Sequence, residues 1–359
     1  MSVPKRKRPQ ATISDVARAL GLAASTVSRA LNGHHDISAS TRQSILEVAR
    51  QLDYRPNLLA QSLKSRETNT VGIVIPDIER PFFASAVSGI QQVVSEAGYR
   101  VMICQSKESY ELEVSNVQAL IASRVDGLLI CFSRETENFD HVKPQACRGI
   151  PLVQFDRVCN EVESAKVILD DWNGAFNLTE HLIAQGARRI AILAGPESLL
   201  ISRNRVAGYI SALQKHNLPI CDELRAHINF QSESAVATLD AWLALPAPPD
   251  AIFAVNYVNA FDLLVALKGR RRVPQDVAVV GFGDEFMASM IEPSLTTVNL
   301  HPHRIGQQAA QLFLQQMRQK EEFRPSTIVV SGDLIVRQSS LKKKDSSLSR
   351  LNEMIDVEI

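Results

Sequence analysis

The sequence predicts an all-α helix-turn-helix head followed by an α/β domain of two lobes, each a doubly wound parallel sheet. Three observations carry that prediction. Two short amphipathic patterns joined by Gly21 stand directly ahead of a third helix and the string Tyr54-Arg55-Pro56-Asn57. Positive charge gathers at the same end: up to Arg66 eleven Lys/Arg face four Asp/Glu, a net of +7, although the 359-residue chain as a whole is neutral. From Val71 onward short apolar runs alternate with helix-length amphipathic ones, in two successive series, the rhythm of strands buried on both faces and separated by helices.

In the first pattern Ile13, Val16, Ala17 and Leu20 recur at helical spacing and form one apolar stripe. Thr12 is placed to cap this helix, and Asp15 puts negative charge in its first turn, where it suits the helix dipole. In the second pattern Val27, Ala30 and Leu31 form the buried stripe, which leaves Ser25, Thr26, Ser28 and Arg29 outward. Small hydroxyls and one arginine suit a major groove. The run Lys5-Arg6-Lys7-Arg8 adds sequence-independent attraction to a DNA backbone, or is a solvated arm.

Strands are expected over 71–75, 100–104, 127–132, 152–155 and 167–169, then over 190–193, 251–255, 277–281 and 297–300. Helices are expected over 82–97, 110–123, 173–185, 205–216, 258–268 and 303–320. In open parallel sheets a ligand sits in the crevice beyond the carboxyl ends of the strands.

A chain of 359 residues holds two or three domains at roughly 150 residues each. No apolar run approaches the roughly 18 residues of a membrane span, and the basic amino terminus leads into no signal-peptide core. The expectation is a cytoplasmic protein with no membrane partner. Five scattered cysteines, Cys104, Cys131, Cys147, Cys159 and Cys221, contain no CxxC pair and read as reduced thiols.

Over essentially its whole length the chain resembles the lactose-repressor/galactose-repressor family of transcriptional regulators. The motifs that carry the resemblance are Thr12-Ile13-Ser14-Asp15-Val16-Ala17, Ser25-Thr26-Val27-Ser28-Arg29-Ala30-Leu31-Asn32-Gly33, Tyr54-Arg55-Pro56-Asn57, Ile75-Pro76-Asp77-Ile78 with Pro81-Phe82-Phe83-Ala84, Val125-Asp126-Gly127 and Pro293-Ser294-Leu295-Thr296-Thr297-Val298. The resemblance implies a basic arm (1–11), a DNA-binding head (12–56), a hinge helix and linker (57–69), a periplasmic-binding-protein-like effector-binding and dimerisation domain (70–340) and a polar tail (341–359). It implies a homodimeric repressor whose operator binding is controlled by a small carbohydrate-like effector held between two lobes, with no cofactor and no metal.

It also implies site residues. Ala24, Ser25 and Arg29 would meet base edges, and Thr26 and Ser28 phosphates; Thr12, Asn32 and Thr41 complete the DNA-binding set in the head. In the hinge, Asn57 and Ala60 keep the family spacing, and Leu63 is either the wedge between base steps or an ordinary linker leucine. A segment of eight residues holds no helix alone in water, so hinge order can follow DNA and ligand. Ala23 stands where the family has a capping serine, a loss of roughly 1 kcal/mol, and Ala24 offers a methyl to a thymine methyl rather than a hydrogen bond.

For the effector the resemblance implies Phe82 and Phe83 as an aromatic corner, though either ring could equally pack its own helix. It adds Asp156, Arg205 at a helix start, Arg203, Asn256 and Asp284. Two departures stand out: Asn256-Tyr257 where the family has Asn-Asp, and Gly283 where it has an aspartate, with Asp284 one place on. Losing that carboxylate beside Arg203 and Arg205 would tilt the pocket positive and admit a sugar acid beside a neutral sugar. An enzyme is a weaker reading: Gly281-Phe282-Gly283 lacks the third glycine of a dinucleotide loop, no GxSxG is present, and His301-Pro302-His303 lacks a third metal ligand. A transport-associated sugar-binding protein of the same build would lack the basic head.

Overall fold

The computed structural model describes residues 11–31, 33–54, 67–143, 150–283 and 286–342. Their contacts divide the chain into two compact units, Met1–Thr68 and Asn69–Ile359.

The first unit is three helices, α1 (Ile13–Leu20), α2 (Ala24–Leu31) and α3 (Ala39–Gln51). Thr12 and Asp15 form a reciprocal capping box at α1, the Thr12 hydroxyl accepting from the Asp15 amide and the Asp15 carboxylate accepting from the Thr12 amide at 2.9 Å. The Thr12 backbone and hydroxyl hold the Asp15 carboxyl below its usual range. Gly21, in left-handed conformation at φ 64°, ends α1 and turns the chain into α2. Val16, Ala17, Val27, Ala30, Ile45 and Ala49 make the core, with Leu20, Leu31 and Tyr54 packed against it.

The second unit has two lobes. The first holds a six-stranded parallel sheet ordered β11-β5-β4-β3-β1-β2, where β1 is Thr70–Ile75, β2 Arg100–Gln105, β3 Gly127–Ile130, β4 Leu152–Phe155, β5 Ala165–Leu169 and β11 Thr327–Val330. Helices α4 (Pro81–Glu96) and α11 (Pro302–Gln319) cross on one face and α5 (Tyr110–Ala122) covers the other. The crossing is close because both contact positions are glycine: a Cβ on Gly89 would lie 2.1 Å from the His303 carbonyl oxygen, and one on Gly306 1.9 Å from that of Ala86.

The second lobe holds β7-β6-β8-β9, all parallel: β6 is Ile190–Ala194, β7 Arg225–His227, β8 Ala251–Ala254 and β9 Ala278–Val280. Its helices are α6 (Asp171–Ala184), α7 (Leu200–Lys215), α8 (Ser232–Leu243), α9 (Tyr257–Leu267) and the short α10 (Phe286–Met290). The chain passes between lobes from β5 into α6, from β9 through β10 (Thr297–Asn299) into α11, and from β11 into β12 (Asp333–Ile335).

The structure changes one expected pairing. Thr297–Asn299 pairs antiparallel with β12 in a two-stranded ribbon, and this segment joins the edge of the second sheet only through a parallel bridge of Val280 with Thr296 and the amides of Gly281 and Gly283, which donate to the carbonyls of Thr296 and Val298 at 3.0 and 3.1 Å. Thr297 and Val298 are buried because the chain crosses there between two cores, and sheet strands and crossover segments are buried alike. β7, β11, β12, α8 and α10 lie outside the expected elements.

Candidate functional site

On the head, Ala24, Ser25 and Arg29 are exposed on α2, and Thr26 and Ser28 are half-buried beside the fully buried Val27. Ala23 offers no side-chain cap, but its carbonyl accepts from the amides of Thr26 and Val27 at 3.0 and 3.2 Å. The Arg29 guanidinium is ion-paired with Asp36 in the loop after α2. Thr12 and Thr41 work at helix starts: the Thr41 amide donates to Ser38 Oγ at 3.2 Å, which caps α3. Asn32, Asn57, Ala60, Leu63 and the basic run at 5–8 lie outside the described residues.

In the second unit a cleft of about 970 Å³, counted to its open mouth, lies between the lobes at the carboxyl ends of both sheets. Phe82 and Phe83 enter it from the first turn of α4, nearly buried, their rings edge to face at 5.3 Å. Asp156 follows β4 in left-handed conformation at φ 60°. Burial pushes its carboxyl up, against the opposing charges of Arg157 and Arg205. The next residue, Arg157, donates to Glu108 Oε2 at 2.6 Å and sits 5.6 Å from the Phe83 ring centroid. Burial pushes Glu108 up, but the charge and hydrogen bond of Arg157 outweigh it and hold the carboxyl below its usual range.

Arg205 enters from the second lobe. It is 5% exposed, its Nε and Nη2 lie 2.7 Å from Asp171 Oδ1, its Nη1 donates to the Val255 carbonyl at 2.6 Å, and its guanidinium lies 3.9 Å from the centroid of Phe282. Burial lifts the Asp171 carboxyl to about 6 despite the adjacent Arg205. Helix α7 begins at Leu200, so Arg205 sits in the second turn and not at a helix start. Stacking on Phe282 and the bonds to Asp171 and Val255 therefore orient it.

Arg203 departs from expectation. It is exposed, donates to the carbonyls of Glu197 and Ser198 at 2.7 and 3.1 Å, and does not line the cleft. Two residues along a helix amount to a rotation of roughly 200°, so Arg203 and Arg205 face opposite ways. Asn256 lines the cleft, but its side chain is engaged locally: Oδ1 accepts from the Asn259 amide at 2.8 Å and caps α9. Asp284 lies outside the described residues.

The positive tilt expected of the pocket does not arise among the described residues. Arg80 pairs with Asp77 at 3.5 Å, Arg157 with Glu108 and Arg205 with Asp171. Arg134 reaches across the rim, its Nη1 donating to the Asn229 carbonyl of the other lobe at 3.1 Å, while its own amide donates to Glu108 at 2.8 Å. Sequence reasoning missed Arg157, Glu108, Arg134 and Phe282 as cleft residues, and saw Tyr257 only as a departure from the family pattern. Arg157 could have been found as the neighbour of Asp156 at a strand end; the others come from separate loops that only the fold brings together. His301, considered for a metal pair, bonds Asp333 at 2.7 Å.

Residues 12–57 match the bacterial regulatory proteins of the lacI family, and residues 179–340 match a periplasmic binding protein-like domain. The chain is 30% identical over 337 residues to the HTH-type transcriptional repressor CytR of Escherichia coli strain K12, spanning 94% of this chain and 98% of that protein. It is 29% identical over 331 residues to the HTH-type transcriptional repressor PurR of Actinobacillus pleuropneumoniae serotype 3, spanning 92% and 98%. Among solved structures, the lac repressor dimer bound to operator and the anti-inducer ONPF superposes with a TM-score of 0.83 at 26% identity, over 92% of this chain and 99% of that one. A complex of the transcriptional regulator CelR with cellobiose gives 0.66 at 30% identity, over 92% and 100%.

Proposed function

The chain belongs to the lacI family of bacterial regulatory proteins and is an effector-controlled, DNA-binding transcriptional repressor, not an enzyme; from that premise we propose how its own residues divide the work. Helix α2 is the recognition helix: Ala24, Ser25 and Arg29 meet base edges, and Thr26 and Ser28 meet phosphates. The protein acts as a homodimer in the bacterial cytoplasm, where its operator DNA lies. Residues 57–64 form the hinge, with Leu63 as the wedge. Leu63→Ala should lower operator affinity and bending together, read by circular permutation of the operator fragment.

The effector binds in the interlobe cleft and is a neutral molecule that carries hydroxyls and one flat or apolar face. The observation that carries this is that three of the four arginines lining the cleft, Arg80, Arg157 and Arg205, pair with carboxylates of their own, while the fourth, Arg134, is engaged by the Asn229 carbonyl, beside the aromatic rings of Phe82, Tyr257, Phe230 and Phe282. An anion would have to displace those carboxylates, whereas hydroxyls can share the donors that remain on each planar guanidinium. Sugars and nucleosides fit, and sugar acids fit less well. Lobe closure on the effector would shift the dimer interface and hence hinge docking.

Thermal-shift screening tests the reading, because a ligand that binds the native state raises its melting temperature. Neutral sugars or nucleosides should do so, and the hit should change operator affinity in a titration. A response confined to sugar acids would refute the neutral class while leaving the repressor assignment intact.

A further inference from the structure

We propose that Asp36 sets base specificity in the head by holding the guanidinium of Arg29 in its reading orientation; this rests on the assignment of Arg29 to a base edge. Arg29 is half-exposed on α2, and its guanidinium is paired with the carboxylate of Asp36, whose side chain is one-third exposed. Helix α2 ends at Leu31, so Asp36 lies off the helix in the loop that follows. Described residues on both sides of Asp36 hold it there. Gly33 turns left-handed at φ 77°, the His34 amide donates to the Arg29 carbonyl at 3.0 Å, and the His34 carbonyl accepts from Arg42 of α3. Immediately beyond Asp36, Ile37 packs on the head core and Ser38 caps α3.

An exposed arginine samples many rotamers and loses them when it docks on a base. A carboxylate that engages one N–H fixes the plane of the guanidinium and leaves other donors of the fork for a bidentate contact with guanine O6 and N7. Charge placement points the same way. Of the four acidic residues up to Arg66, Asp15 serves the α1 cap, and Glu47 and Asp53 belong to α3 and its end. Asp36 is the one set against the recognition helix, where a negative charge weakens attraction to any DNA. It gives up general affinity and in return restricts Arg29 to one orientation. Asp36 is a positioning residue: it acts on the base through Arg29.

The test begins with an operator selected from a random-sequence duplex pool by the full-length wild type. Binding of wild type, Asp36→Ala, Arg29→Ala and the double variant is then measured on that operator, on its single-base-pair variants and on random duplex, with melting temperatures alongside. Asp36→Ala should keep the wild-type melting temperature, bind random duplex as well as wild type or better, and lose about tenfold in discrimination, the scale of one bidentate contact. The loss should fall at the base pair where Arg29→Ala loses it, and the double variant should lose no more than Arg29→Ala. Wild-type discrimination by Asp36→Ala at every position, whatever its absolute affinity, overturns the proposal. If Arg29→Ala itself discriminates like wild type, it is the assignment of Arg29 that has failed. Should Asp36→Ala not fold, Asp36→Leu, which keeps the branched shape and removes both the charge and the acceptor, is read by the same outcomes.

Discussion

The ring of Tyr257 occupies the space that a side chain at Gly283 would need: a Cβ there would lie 2.9 Å from Tyr257 Cδ1, on a backbone held at φ 107°. The two positions at which the sequence departs from the expected family pattern thus touch in the fold. Gly283→Ala should lower stability by roughly 1–3 kcal/mol through overpacking. Adding Tyr257→Ala should recover the steric part, so urea unfolding of the four proteins in the cycle should show coupling of about 0.5 kcal/mol or more. Additive losses would mean that the ring and the glycine are independent.

Arg205 carries two consequences. It neutralises Asp171 in a nearly dry site, so Arg205→Ala should lose about 3–5 kcal/mol of stability by stranding a buried charge. The variant should also lose a charged hydrogen bond to the effector, worth about 1.5–3 kcal/mol, while ligand-free operator affinity stays near wild type below the melting temperature. A full ligand response in the folded variant would move the effector site elsewhere.

Asp171 makes stability depend on pH. Its carboxyl is raised from 3.8 to about 6 by burial, so between those values the folded state binds more protons than the unfolded state. Stability contributed by this group therefore falls as pH rises from about 4 to about 6, and the loss persists above that window. The difference in melting temperature between wild type and Asp171→Asn should change through the window and level off above it. A constant difference would put the Asp171 carboxyl at its ordinary value.

Arg29→Ala should weaken binding to the selected operator by about 1–3 kcal/mol at one base pair and leave binding to random duplex much less affected. Equal losses on both, read by salt-controlled titration, would show that Arg29 touches only phosphate.

The α4/α11 crossing should not tolerate a methyl group. In Gly306→Ala the new carbon meets backbone oxygen at 1.9 Å and cannot be relieved by a rotamer change, so the helices must separate, at a cost of roughly 1–3 kcal/mol or more. A wild-type melting temperature would show that the crossing is looser than this geometry.

Much of the site was legible before folding. Phe82, Phe83, Asp156, Arg205 and Asn256 come together in the cleft as their motifs implied. Arg203 was misplaced because proximity in sequence is not proximity on a helix face. Tyr257 and Gly283 were visible as separate departures, and their complementarity was not, because they stand 26 positions apart in the chain.

The sequence by itself determined the helical head, through its capping signals and apolar spacing, and the alternation that makes two parallel sheets. Those are local properties: periodicity, caps and turns act over a few residues. Tertiary structure alone decided that Thr297–Asn299 pairs with β12, that Arg205 is neutralised by Asp171 and stacked on Phe282, that Arg134 bridges the rim, and that Asp36 faces Arg29. Each is a contact between segments whose approach is set by the packing of whole lobes or helices, and the sum of charges in the cleft depends on which side chains that packing buries together.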